Sequence, residues 1–404
     1  MLPALVVSLC IGAQGMARPL ELGVDRFLRL YADSLAGKRI AVLTHAAART
    51  SSGELSAQAL HSRFHVVAFW APEHGFRGAA PAGAPVPDTT FEGVPVYSLY
   101  GPRRRPPEQW FDSIDAVVVD LQDAGFRAYT YISTLYWVLD ACAAAGKPVY
   151  VLDRPNPLGG VMVEGAVLDT ALRSFVGIAP IPYVHGCTIG ELAQLFVAEG
   201  WLPRAPDGRP RRPRLTVVPM QGWRRSMLWE DTGLHWTPPS PNLPTPVAAR
   251  AAVVTGILGE LGLYSVGIGT DAPFQYLGAP EFPAESLLAA QQRLAAVGIE
   301  IRPAEFIPTG GRFAGQRCRG IFLQPTSSRA QLFAAFLELA QLLHRLRPDW
   351  CSRLSSSARQ MLPKVLGQRQ FFEDLCNGAS LERWHLHGVA EFLAKRERVL
   401  LYPP

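Results

Sequence analysis

Apolar positions in the first half of the chain fall into short unbroken runs: RIAVLT (39–44), HVVAFW (65–70), AVVVDL (116–121), PVYVLD (148–153) and IPYVH (181–185). Runs of this length with no polar residue at alternate positions predict strands buried on both faces. Between several of them the apolar period becomes helical, most clearly in TLYWVLDACAAAG, which closes on Gly146. Glycine there can adopt the left-handed conformation that ends a helix. Alternating strands and helices predict an α/β domain on a parallel sheet with both faces covered.

The texture changes near residue 236. WTPPSPNLPTP (236–246) carries five prolines in eleven residues, which predicts an extended segment wrapping between domains. Beyond it, a helix (ESLLAAQQRLAAVG) leads to strands around GIEIRPAEFIP and CRGIFLQP. A long amphipathic helix (RAQLFAAFLELAQLLHRL) and a basic helix ending in LLYPP complete a smaller α+β region. The chain accordingly divides into 18–240 and 241–404, after a segment 1–17 that reads as a signal peptide. That segment has an apolar stretch and small residues before Ala-Gln-Gly, although no Lys or Arg precedes the stretch. It is too short to span a bilayer, and nothing later is long and apolar enough for stable membrane insertion. The expected location is periplasmic or secreted, with a cytoplasmic one as the alternative.

Composition narrows the choice of function. With 404 residues, 48% hydrophobic and 18% charged, the chain is globular and core-forming. The net charge of +5 is concentrated in Arg103–Arg105 and Arg209–Arg214, both beside prolines. Solvated loop charge explains them; an anionic polymer as substrate is the sharper reading. No nucleic-acid motif is present. The six cysteines form no CxxC pair, so buried single thiols are expected. His61 and His65 stand four apart, but His65 begins a strand and no third ligand is spaced nearby, so no metal is expected.

The carboxyl ends of the predicted strands carry the chemistry. In order they deliver Thr44-His45, Glu73-His74, Asp120 to Asp123, Asp153-Arg154 with Asn156, and His185. A single Asp at such a place is readily a cap or turn former; five ionisable groups along one edge point to a shared site. Thr188 and Glu191 have capping-box spacing and read as structural. No GxGxxG or GxxxxGK[ST] follows a strand, so nucleotide binding lacks its loop, and no cofactor is expected. GxSxG is absent as well, which removes the common serine hydrolase. What remains is a carboxylate- and histidine-bearing cleft flanked by Tyr129, Tyr131, Trp236 and several arginines. Glycoside hydrolysis needs one carboxylic acid to protonate the leaving oxygen and a second carboxylate as base or nucleophile. Glu73, between Trp70 and Phe76 in sequence, is the candidate for an acid raised by apolar surroundings; a carboxylate fixing its own loop through Arg77 is the alternative.

The motifs PEHGFRG, DLQDAGFRAYTY, DRPNPLGG with VEG, HGCTIGELA, GW and PPSPN resemble a bacterial family of exo-acting β-N-acetylmuramidases of the NamZ type. The resemblance runs from about residue 36 to Tyr402. It implies a Rossmann-like parallel-sheet domain with a smaller C-terminal α+β domain, and a peptidoglycan-derived saccharide as substrate. It puts the catalytic glutamate on Glu73, with His74, Asp123 and Glu164 beside it. Substrate-binding positions would be His45, Arg127, Tyr129, Arg154, Asn156, His185, Ser240 and Asn242. The chain also departs from the family. Thr44-His45 stands where Thr-Asn is usual, and Val266, Ile268 and Ala272 replace an acid and two arginines in the 265–275 segment. Arginine is the natural bidentate partner of a lactyl carboxylate, so weaker discrimination between muramyl and glucosaminyl termini is expected. A catalytically weakened saccharide-binding protein on the same scaffold is the alternative reading.

Overall fold

The computed structural model describes residues 20–282, 284–327 and 329–404; the signal-peptide reading of 1–17, and Cys10, fall outside them. Seven strands form the main sheet: β1 Arg39–Thr44, β2 His65–Ala71, β3 Thr89–Phe91, β4 Val94–Ser98, β5 Ala116–Asp120, β6 Pro148–Leu152 and β7 Arg214–Val218. Their order is β3-β4-β2-β1-β5-β6-β7, with every pair parallel except the β3–β4 edge hairpin. The helices of this half are α1 Gly23–Leu30, α2 Ser56–Arg63, α3 Tyr131–Ala145 and α4 Ile189–Ala198. Alternate strand residues feed opposite cores. Ile40 and Val42 pack with Phe27 and Leu60 on one face, whereas Ala41 and Leu43 join Leu135, Leu139 and Leu192 on the other. That two-sided burial is why the strands read as continuous apolar runs.

One strand expectation is corrected. Residues 181–185 make only single backbone bridges through Val184, to Phe126 and Glu164, and the place at the sheet edge belongs to β7. Pro180 and Pro182 lack the amide hydrogens that a ladder requires.

The second half contains α5 Pro246–Glu260, β8 Tyr276–Ala279, α6 Ala284–Leu288, α7 Gln291–Ala296, β9 Ile299–Phe306, β10 Cys318–Pro325, α8 Leu332–Leu346, α9 Ser356–Leu366, α10 Arg369–Asn377 and α11 Val389–Arg396. Its antiparallel sheet has the order β8-β10-β9. Its apolar residues, among them Leu277, Phe333 and Phe371, belong to the same core cluster as the α3–α4 face of the first sheet. The last residues return to the first half, where Tyr402 packs edge-on against Trp223 and its hydroxyl donates to Asp153. Among the cysteines, Cys142, Cys187 and Cys318 are buried free thiols, as expected, but Cys351 and Cys376 form a disulfide. Their Cα atoms lie 5.4 Å apart because α10 folds back beside the turn after α8, a proximity invisible in the sequence spacing. Among the described residues no helix is long and apolar enough to cross a membrane.

Candidate active site

The chain runs from β1 outward through β2 and β4, then returns to β5 and proceeds the other way through β6 and β7. The carboxyl ends of β1 and β5 therefore flank the switch point, where open α/β sheets form a crevice. His45 sits there, completely buried, with Nε2 accepting the Gln122 amide hydrogen at 3.0 Å. Because that nitrogen accepts, the ring proton resides on Nδ1, which points to the Tyr131 hydroxyl 3.4 Å away. Burial, then the charge of Arg154, hold the His45 pKa well below its ordinary range, so the ring is neutral.

Beside this point the chain leaves β2 in a tight turn. His74 and Gly75 both have positive φ, 68° and 76°, and Gly78 follows at 69°. A histidine in the left-handed region is strained by roughly 1 kcal/mol, a feature that collects at functional turns. The His74 Nδ1 lies 2.8 Å from the Ala80 carbonyl, which fixes the ring. Glu73 is buried, its Oε1 accepting from the Gly83 amide at 2.8 Å and its Oε2 from the Thr130 hydroxyl at 2.5 Å. These partners replace the apolar sandwich expected from sequence. Trp70 instead packs on Trp110 and Phe111, and Phe76 on Phe69 and Phe91, on opposite faces of the sheet. Arg77 points to solvent.

Glu73 and His74 line a cavity of about 370 Å³ together with Tyr100, Tyr129, Thr130, Ser240, Asn242, Glu260 and Phe274. The proline-rich segment forms its rim. Tyr129 and Tyr131 both donate to the Pro239 carbonyl at 2.9 Å, so two buried phenols hold the segment from beneath. Tyr100 is pushed up to about 12 by burial and then by the nearby Glu73 carboxylate. Beyond Pro238 a second cavity of about 590 Å³ is lined by Arg49, Arg154, Trp229 and Trp236.

Behind Tyr129, Asp123 accepts the Gly125 amide hydrogen on Oδ2 at 2.7 Å, while its buried Oδ1 has no partner. Burial raises its carboxyl to about 7. The Nε2 of His185 lies 3.9 Å from Asp123 Oδ2, too far for a hydrogen bond, and it too is buried without a partner. His185 Nδ1 accepts the Cys187 amide hydrogen, and burial depresses the ring to about 3.

The structure sorts the candidate residues into groups. Glu73, His74, Tyr129, Ser240 and Asn242 meet in the pocket, with His45, Asp123 and His185 in the layer beneath. The other four are engaged in holding the fold. Arg127 donates to the carbonyls of Ala166, Ile181 and Val365, tying the two halves together, and burial lowers it to about 10. Arg154 closes a two-pronged ion pair on Asp120 and reaches the Ser56 hydroxyl. Asn156 bridges the Cys187 carbonyl and the Leu158 amide. Glu164 accepts the Phe333 and Ala334 amides at the start of α8, where the helix dipole favours an anion, and it faces His385 at 3.4 Å. Glu191 caps α4 with Thr188, as its spacing predicts.

The departing segment is placed differently from expectation. Val266 is buried against Gly259 of α5, and Ile268 packs on Gly310 and Gly311; from 265–275, Phe274 lines the pocket, with φ of 65°. Sequence reasoning missed Gly83, Thr130, Tyr100, Glu260 and Phe274. Only the polar, helix-initiating Thr130 beside the Tyr129–Tyr131 motif carried a readable signal.

A buried glutamate in a one-sugar-sized cavity, at the carboxyl edge of an α/β sheet and rimmed by tyrosines and an asparagine, defines an α/β enzyme of the hydrolytic, acid–base class. Family models described as Exo-beta-N-acetylmuramidase NamZ, N-terminal and C-terminal, match residues 40–247 and 253–402, and the chain belongs to this family. It is 35% identical over 390 residues to the Peptidoglycan beta-N-acetylmuramidase NamZ of Bacillus subtilis (strain 168), covering 95% of this chain and 91% of that protein. Two crystal structures of DUF1343 family proteins from Bacteroides fragilis NCTC 9343 are similar to it. One has a TM-score of 0.86 at 32% identity, the other 0.74 at 28%, each covering 95% of this chain and 99% of its own.

Proposed function

We propose that this protein is an exo-acting glycoside hydrolase that releases terminal N-acetylmuramic acid, or a related amino sugar, from peptidoglycan fragments. One observation carries the assignment of the acid. Of Glu73, Asp123 and Glu164, only Glu73 lines the pocket, and its carboxyl is fixed on both oxygens by Gly83 and Thr130. In this reading Glu73 gives its proton to the leaving glycosidic oxygen as the anomeric bond breaks, and water completes the hydrolysis. Asp123 is the candidate for the second carboxylate, because its Oδ1 is unpaired and burial poises it near neutral pH. Ser240, Asn242 and His74 supply polar contacts to the sugar, and Tyr129 an aromatic wall. The disulfide between Cys351 and Cys376 supports export to an oxidising compartment.

Turnover of a chromogenic N-acetylmuramide tests the assignment. Glu73→Gln keeps the side chain's size and removes the transferable proton, so kcat should fall about 10²–10⁴-fold with the fold intact by circular dichroism. Near wild-type turnover would remove Glu73 from the mechanism. Tight binding without sugar release by the wild-type protein would favour the saccharide-binding alternative.

A further inference from the structure

The two arginine clusters that stand out in the sequence, Arg103–Arg105 and Arg209–Arg214, take no part in the chemistry at Glu73. The fold nevertheless brings them together over α3. Arg105 donates to Asp140 Oδ2 at 2.6 Å, and Arg211 donates to Oδ1 of the same carboxylate at 2.7 Å. One buried acid therefore holds two cations. Arg173 arrives from a third loop and donates to the Tyr136 hydroxyl at 3.2 Å. Arg104 lies with its guanidinium 5.8 Å from the ring centre of Tyr100 and 4.5 Å from that of Phe175. Arg104, Arg173 and Arg212 are exposed, and none has a carboxylate partner among the described residues.

These side chains line two cavities that continue the one at Glu73. The first, of about 480 Å³, is walled by Arg104, Arg105, Arg173, Trp137 and Phe175. The second, of about 700 Å³, is walled by Arg209, Arg211 and Arg212 above Ala143 and Ala144, with Glu108 and Asp207 as its acids. Asp207 is taken up by Arg209. Thr130 lines the Glu73 cavity, Trp137 the next and Ala144 the third, in steps of seven residues. Each step rises about 10 Å along a helix. Because α3 starts at the carboxyl edge of the sheet and ends beside the amino end of β6, the three cavities form a row down the outside of the first half. The wall between the first two is continuous, since Phe175 lines one and Val176 the other. An acid at Glu73 protonates the leaving oxygen, so the leaving sugar lies beside it, and Tyr100 on that pocket wall is next to Arg104. The other ways out offer no free cation. The cavity towards Met361 and Val365 has Glu260 as its one charged side chain. In the cavity beyond Pro238, Arg49 is engaged by Thr237 and the Gly53 carbonyl, and Arg154 is closed on Asp120.

We propose that this row is a track for the remainder of the substrate, a glycan in which every second sugar carries a carboxylate. Arg104 and Arg173 meet the first carboxylate beyond the cleaved unit, Arg212 a later one, and the half-buried indole of Trp137 offers an aromatic face to a sugar ring between them. The spacing fits, because two sugars of an extended chain span about the same 10 Å as seven helical residues. The inference rests on the hydrolase reading of the Glu73 pocket and deepens it: the protein reads the charge of the chain behind the terminal sugar as well as the sugar itself.

The test compares saccharides that share a terminal N-acetylmuramyl residue. One is its disaccharide with N-acetylglucosamine, one a tetrasaccharide repeating that unit, and one a tetrasaccharide whose third sugar is N-acetylglucosamine and which is therefore neutral beyond the terminus. At low ionic strength kcat/KM for release of the terminal sugar should be about fivefold higher for the repeating tetrasaccharide than for the other two, and the gain should shrink at about 0.5 M salt, as for exposed ion pairs. The double variant Arg104→Gln, Arg173→Gln should bring the two tetrasaccharides level and leave the disaccharide unchanged. A repeating hexasaccharide should gain again, and Arg212→Gln should remove that second gain alone. Equal rates on the two tetrasaccharides at low salt would overturn the proposal, as would a preference that survives the double variant. So would loss of disaccharide turnover in the same proportion, because the arginines would then serve the terminal pocket. Failure of the hydrolase reading shows separately, as absence of release from the disaccharide. Calorimetry with the same saccharides then reads the track by itself, with the same order of affinity expected and equal affinities overturning it.

Discussion

Asp123 and His185 sit 3.9 Å apart, the histidine fully buried and the acid nearly so, and their titrations pull stability in opposite directions. The Asp123 carboxyl titrates near 7 in the fold against an ordinary 3.8, so between those values the folded protein holds a proton that the unfolded chain has released. Stability from this group falls as pH rises through that window. His185 titrates near 3 against an ordinary 6.5, so there the unfolded chain binds the extra proton, and stability falls as pH drops. Asp123→Asn removes the first slope and keeps the second. Relative to wild type, the variant should gain roughly 2–4 kcal/mol between pH 4 and pH 7.5, measured by urea unfolding at both pH values. Any loss of hydrogen bonding adds only a pH-independent offset, so a difference that does not change with pH would refute the buried-acid description. At this scale the sequence showed that His45, Glu73, Asp123 and Arg154 reach the edge, because each follows a strand. It could not show their surroundings. The partners of Glu73 come from ten and fifty-seven positions away, and the rings beside it in sequence turn to opposite faces of the sheet.

At the level of elements, the strands β1, β2, β5 and β6 and the helix α3 were legible because burial on both faces or a clear cap writes itself into the residue pattern. The segment 181–185 was not, since its apolar residues are buried without joining a ladder and its prolines bar it from the sheet. Arg127 shows the same limit for a motif residue. Its place beside the Asp123 turn suggested substrate binding, yet its guanidinium reaches Ala166, Ile181 and, on α9, Val365. Replacing it with Met keeps much of the volume but strands the Ala166 and Val365 carbonyls, the Ile181 carbonyl keeping the Leu168 amide, and each unpaired group costs about 1–3 kcal/mol. Arg127→Met should therefore lower the melting temperature sharply. In the fraction that remains folded, KM for a muramide should stay near the wild-type value. A raised KM at unchanged melting temperature would return Arg127 to the binding site.

The whole molecule is closed by contacts distant in sequence: one core cluster spans both halves, Tyr402 returns to Asp153, and Cys351 joins Cys376 across 25 residues. Loop closure on that scale contributes about 3 kcal/mol where the bond can persist, and secretory compartments are where it persists. The apolar stretch at the N-terminus leads to the same compartment by independent reasoning. If the chain is exported and processed near residues 16–18, Cys10 leaves with the leader, and the mature protein contains five cysteines. Two of these are bonded, so alkylation in denaturant without reductant should label three thiols, Cys142, Cys187 and Cys318. Adding reductant first should label five and lower the melting temperature. The opposite result is equally definite. Protein recovered from the cytosol, beginning at Met1 and showing six reactive thiols, would place it in a reducing compartment, and the disulfide would then contribute nothing to its stability there.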